Sequence, residues 1–97
     1  MATEKLAMPV LNLNGSSAED LIEQLSDACS AVGAAQDALA KASPHGRDYQ
    51  LNPDDYKLAR EQHEARQMAL RAIADELETI ATHVYEQQAE RYVGRRR

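Results

Sequence analysis

The sequence predicts an all-α protein: a long antiparallel helical hairpin of two coiled-coil-like helices with an extended N-terminal arm, assembled as a homo-oligomer. Three observations predict it. Apolar residues recur at alternating steps of three and four over residues 21–39 and again over 56–84, the period of a helical seam. A single punctuated segment, 43–52, carrying Pro44 and Gly46, separates the two stretches. Finally, alanine supplies much of the 43% hydrophobic fraction. Alanine favours helix but buries little area, so a 97-residue chain built this way has thin seams and gains stability by self-association.

Residues 1–15 form the arm. Within it Val10-Leu11-Asn12-Leu13-Asn14-Gly15 alternates apolar and polar residues, which predicts an extended segment packing Leu11 and Leu13 on one side. Its partner would be a helix groove or the same segment of another subunit. The hairpin occupies residues 16–92. Its first helix is predicted over 16–42, opening on a capping box from Ser16 to Glu19. Leu21, Leu25, Ala28, Val32, Ala35 and Leu39 mark its stripe, which Ile22 and Cys29 broaden, and Pro44 ends it. The loop covers 43–52.

Helix two is predicted over 53–91. Asn52 is placed to cap it, Pro53 occupies its first position, and Asp54 and Asp55 fall in its first turn. No glycine or proline interrupts it before Gly94, giving roughly 55 Å of helix. A basic tail, 93–97, follows. Folding about the loop predicts Leu39 near Tyr56 and Ala59, Val32 near His63 and Arg66, and Leu25 near Leu70 and Ile73. The longer second helix would then overhang, leaving Val84, Tyr85 and Tyr92 for the arm or another subunit to cover.

The inward series of helix two reads Tyr56, Ala59, His63, Arg66, Leu70, Ile73, Leu77, Ile80, Val84. A histidine and an arginine stand where a packed helix wants leucine, and such a break in pattern often marks a functional or partner-facing site. Opposite them helix one carries Gly33 among alanines. A glycine inside a helix costs about 1 kcal/mol, usually offset by the close approach of another group. The resulting space admits the Arg66 stem, a neighbouring subunit or a ligand; equally, Arg66 can snorkel outward and His63 can be satisfied at an interface.

Arg47 and Tyr49 of the loop, with Tyr56 and Arg60 of the first turns of helix two, gather at the same end. Arginine gives planar, bidentate recognition of phosphate or carboxylate, and tyrosine gives a stacking face with a polar tip. Arg47, Tyr49, Tyr56, Arg60, His63 and Arg66 are therefore the candidate ligand-binding residues for a small anionic, nucleotide-type ligand. The same residues suit a protein partner, since Tyr and Arg are common interface anchors, and loop structure alone is a third use for them. Asp48, Asp54 and Asp55 in the same region oppose an anion.

Other classes find less support. The net charge of −5 argues against nucleic-acid binding, which is left to Arg91 and Arg95 to Arg97 at the C-terminus. Cys29 is the single cysteine; it lies in an apolar stripe and no nucleophile motif surrounds it, so no catalytic residue is assigned and the chain is expected not to be an enzyme. His63, His83 and their neighbouring carboxylates lack the spacing of bundle metal sites, so neither a metal nor a cofactor is expected. No membrane span or signal segment is visible, and the cytoplasm is the expected location.

Three runs carry a resemblance: Leu11-Asn12-Leu13-Asn14-Gly15-Ser16-Ser17, Pro44-His45-Gly46-Arg47-Asp48-Tyr49, and Glu61-Gln62-His63-Glu64-Ala65-Arg66. Together they resemble small uncharacterised accessory proteins of tailed bacteriophages and prophages. The resemblance implies a protein acting in the host cytoplasm, of a kind that frequently blunts host defence or redirects a host enzyme. In outline an oligomerising hairpin also looks like the phage sponges that sequester cyclic-nucleotide immune signals, although their signature residues are not found here. A counter-defence sponge is thus the expected function, with an inhibitor or adaptor of a host protein, or a virion component, as alternatives.

Overall fold

The computed structural model describes the backbone of residues 5–95 and side chains through Arg91. Two helices, α1 (Ala18–Lys41) and α2 (Pro53–Arg95), pack antiparallel, joined by a segment with a single 3-10 turn, Gly46–Tyr49. No strand occurs among the described residues. The molecule measures 70 × 27 × 21 Å; α2, with 43 residues and about 65 Å of helix, spans nearly all of the long axis. It passes the expected end at Arg91 and continues through Gly94.

The first helix starts at Ala18, two residues inside the expected bound, and its cap falls one residue later. Ser17, not Ser16, is the N-cap, and its hydroxyl accepts from the Asp20 amide at 3.1 Å. Glu19 does not reach back over the cap. Its carboxylate crosses to α2 and accepts from Gln88 Nε2 at 3.0 Å. At the far end the Ala42 amide donates to Leu39 O, and the Ser43 hydroxyl donates to Ala40 O at 2.7 Å. These satisfy carbonyls that the helix terminus would otherwise leave open. Asn52 opens α2 as expected: its Oδ1 accepts from the Asp55 amide, and its Nδ2 donates back to Asp55 Oδ2 at 3.0 Å.

The register differs from the one expected. Ser43, just beyond α1, meets His63, and Glu19 at the start of α1 meets Gln88. Gln36 and Leu39 share a cleft with Glu64, Gln67, Met68 and Arg71. Leu39 therefore sits two to three turns further along α2 than Tyr56, and Val32 does not face His63. The cause lies in the connection. Segment 43–52 does not turn at the tip but runs back beside the first ten residues of α2, about 15 Å. Its 3-10 turn lays Gly46 and Tyr49 against Tyr56. The overhang of α2 is thus largely at its N-terminal end, clothed by the loop.

The seam is thin. Among the described residues only Ala18, His63 and Val84 are buried. The half-buried residues of α1 include Leu21, Ile22, Leu25, Ala28, Cys29, Val32, Gln36 and Leu39, while Ala35, expected inward, is exposed and Gln36 takes its place. On α2 the stripe runs Tyr56, Ala59, His63, Leu70, Ala74, Leu77, Ala81, Val84, Gln88, with Ile80 half-buried beside it. Arg66 and Ile73, expected inward, are exposed. At 3.6 residues per turn a strict heptad drifts round the helix, and on α2 Ala74 replaces Ile73 at the contact.

The arm lies along α2, one of the two arrangements the sequence allowed. Gln87 holds it: its Oε1 accepts from the Leu11 amide at 3.0 Å and its Nε2 donates to Pro9 O at 2.8 Å. Val84, one turn earlier, is 0% exposed. It sits between the side of α2 that meets the arm and the side that meets α1, worth about 1.5–3 kcal/mol of apolar burial. The expected pairing of Leu11 and Leu13 on one side fails. Leu11 is half-buried but Leu13 is 95% exposed, because Asn12–Gly15 is a turn and not a strand. Asn12 Oδ1 accepts from the Asn14 amide at 2.9 Å, and the Gly15 amide donates to Asn12 O, an Asx-type reversal. Tyr85 is exposed; the Tyr92 side chain and the terminal arginines 95–97 lie outside the described side chains.

Gly33 has no neighbour within 4 Å of where a Cβ would stand, so the close approach expected there is not made. Gly33→Ala should raise unfolding free energy by about 1 kcal/mol in urea titration. Gln87→Ala should leave helical circular dichroism intact but speed hydrogen exchange at the Leu11 amide, with a cost of about 1 kcal/mol.

Candidate functional site

The six residues singled out from the sequence separate into three environments. Tyr49, Tyr56 and Arg60 come together. The 3-10 turn carries Tyr49 over the first turns of α2, where its ring centroid lies 5.8 Å from that of Tyr56 at a tilted interplanar angle of 31°, within the contact distance of aromatic pairs. Arg60, one turn further along, holds its guanidinium carbon 4.9 Å from the Tyr56 centroid, within cation–π range. Gly46 passes the same ring, a Cβ there standing 3.6 Å from it. Tyr56 is therefore the post around which the loop is wound.

His63 is used differently. It is 7% exposed, and its Nε2 lies 3.1 Å from Ser43 Oγ. The single hydroxyl proton of Ser43 is committed to Ala40 O. Oγ must then accept, so His63 donates from Nε2. The chain Nε2–H to Oγ, and Oγ–H to the Ala40 carbonyl, fastens the C-terminus of α1 to α2. The histidine that broke the apolar pattern is a joint of the hairpin. Ser43 was missed in the sequence; its position, immediately before Pro44 at a helix end, is the only signal for it.

Arg47 and Arg66 are exposed and apart from this joint. Arg47 borders an open depression of about 510 Å³ with Asp48, Tyr49, Gln50, Leu51, Asn52 and Asp55. Leu51 is 102% exposed at its rim. One arginine and two carboxylates therefore share the depression. Arg66 lies one turn beyond His63 on α2.

Two further clefts flank α2. One, about 450 Å³, is lined by Gln36, Leu39, Glu64, Gln67, Met68 and Arg71. The other, about 440 Å³, lies where Met8 of the arm meets Asp75, Glu78, Thr79, Thr82, His83 and Glu86. No group of three or more metal-ligating side chains occurs among the described residues, and no described helix is long and apolar enough to cross a membrane. Comparison with protein-family models, with curated proteins and with solved structures finds no match for this chain.

Ser43→Ala should destabilise the protein by about 1–3 kcal/mol, because it strands the His63 donor in a buried position. Ser43→Ala combined with His63→Leu should recover most of that loss, since both polar partners are then gone. Chemical denaturation of the two variants reads the difference; an unchanged midpoint for Ser43→Ala would remove the joint.

Proposed function

We propose that this chain is a non-enzymatic phage accessory protein that self-associates and binds a protein partner through the loop end of its hairpin, countering a host defence from the host cytoplasm. The observation that carries the binding surface is Leu51, fully exposed beside Arg47 at the rim of the loop depression. An unclothed leucine next to the Tyr49–Tyr56–Arg60 stack has the make-up of an interface centre, where aromatic and arginine anchors exclude water. Asp48 and Asp55 in the same depression are compatible with a protein surface of mixed charge and lower the potential for a free anion. The phage setting and the counter-defence role rest on the three sequence runs that resemble tailed-phage accessory proteins.

A second reading keeps the small anionic, nucleotide-type ligand. What favours it is exposed Arg47 in the same depression as Tyr49, whose ring meets that of Tyr56. Such a ligand would stack on Tyr49 and place its phosphate on Arg47. A virion assembly role would instead place copies in purified particles.

Arg47→Ala/Leu51→Ala alters two exposed side chains and should leave the thermal midpoint unchanged. Under the proposed function, the wild-type protein retains one host protein from an infected-cell lysate and the double variant loses it by roughly tenfold or more. A rise in thermal midpoint with added nucleotides, abolished by Arg47→Ala, would favour the ligand reading. Retention indifferent to the double variant would move the binding surface away from the loop.

A further inference from the structure

One side of the hairpin is richer in alanine and aliphatic residues, the other in charges. On each helix, the residue preceding a seam position is rotated about 100° from it in the same sense, and on antiparallel neighbours the same sense means the same side. The residues preceding the α1 seam include Ala28, Ala31, Ala35 and Ala38. Those preceding the α2 seam are Leu58, Ala69, Ile73 and Ile80 among the apolar residues, with Asp55, Gln62, Glu76 and His83 between them, and then Gln87, which holds the arm. The residues that follow the seam carry most of the charges, Glu19, Glu23 and Asp37 on α1 and Arg60, Glu64, Arg71, Asp75 and Glu78 on α2, with Met68 and Tyr85 exposed singly among them. The arm clothes the apolar side only near Gln87. Towards the loop it lies open, with Leu58 51% and Ile73 46% exposed and Ala31, Ala35, Ala38 and Ala69 exposed beside them.

We infer that a second copy of this chain covers this side, joining two hairpins face to face about a two-fold axis. The inference rests on the self-association proposed above and gives it a surface. Two observations select the occupant. The chain exposes 7784 Å², whereas a compact monomer of 10.8 kDa exposes about 5,500 Å². The excess, roughly 2,000 Å², is spread over the whole elongated chain with its arm and loop end, and is more than the roughly 800 Å² per partner that a standard interface needs. The charges at the patch are also self-complementary. Arg66 and Glu76, both exposed, precede Gln67 and Leu77 on this same side, ten residues apart about a midpoint between Ala69 and Ile73. A two-fold axis at that midpoint sets Arg66 of each copy against Glu76 of the other, as an isologous contact requires. The small alanines let helices approach closely, and Arg66, the odd arginine of the heptad, becomes an intersubunit partner.

Sedimentation equilibrium of the full chain tests this. The wild type is expected as a dimer. Ala69→Glu and Ala35→Glu should each weaken it by roughly tenfold or more with helical circular dichroism retained, while Met68→Glu, on the charged side, should leave it unchanged. Arg66→Glu and Glu76→Arg should each weaken the dimer, and the two together should restore it, an outcome that loss of folding does not mimic. A dimer indifferent to Ala69→Glu and Ala35→Glu would overturn the surface and leave self-association standing. A wild type that is monomeric at every concentration would overturn both.

Discussion

The register of α1 on α2 is the constraint from which the rest of the structure follows. Two polar contacts hold it at the ends of α1: Ser43 with His63, and Glu19 with Gln88. Between them the seam is largely alanine and half-buried aliphatic residues, which pack almost equally well if slid by a heptad. Apolar area alone would leave the sliding coordinate shallow. A buried hydrogen-bond donor at His63 makes it steep, because every other register strands that group. Polar groups in helical seams commonly act in this way, lowering stability a little and choosing one alignment.

Once the register is set, the first ten residues of α2 extend past α1 and the connecting segment must clothe them. The loop is thus a strap along a helix and not a tip. Tyr56 takes the central place, with Gly46 and Tyr49 against its ring and Arg60 beside it. The same geometry turns Leu51 and Arg47 outward, so the exposed surface of the loop end is a consequence of where α1 stops. At the opposite end, α1 begins level with Gln88, and the arm must double back to reach Gln87 and cover Val84.

The asymmetry between the two sides of the hairpin has a similar origin. Neither helix is amphipathic in the simple sense of one apolar and one polar half. Each has a seam with alanine or aliphatic residues on one flank and charges on the other, and the antiparallel pairing brings like flanks together. The charges gather on one side, and a side richer in small apolar residues is left over. The excess of exposed area over that of a compact monomer measures how incompletely a two-helix unit shields itself.

How much of this was legible in the sequence depended on whether the signal was local. The all-helical hairpin, the proline and asparagine punctuation of α2 and the length of the connection were readable because helix period, caps and breakers act within a few residues. The Asx turn at Asn12 was readable in principle, since Asn-x-Asn-Gly favours a turn over a strand, but the apolar alternation masked it. His63 announced itself as an exception without saying why, because its partner lies twenty residues away at the end of another helix. Gln87 and the Glu19–Gln88 contact left no trace in the sequence, and Ser43 only its place before Pro44, for the same reason: a side-chain hydrogen bond across a hairpin exists only once the register does. Elements and their ends are thus determined by the sequence. Their alignment, the course of the loop and the side of the molecule left uncovered were decided by tertiary packing, where a few polar contacts select among apolar alignments of nearly equal energy.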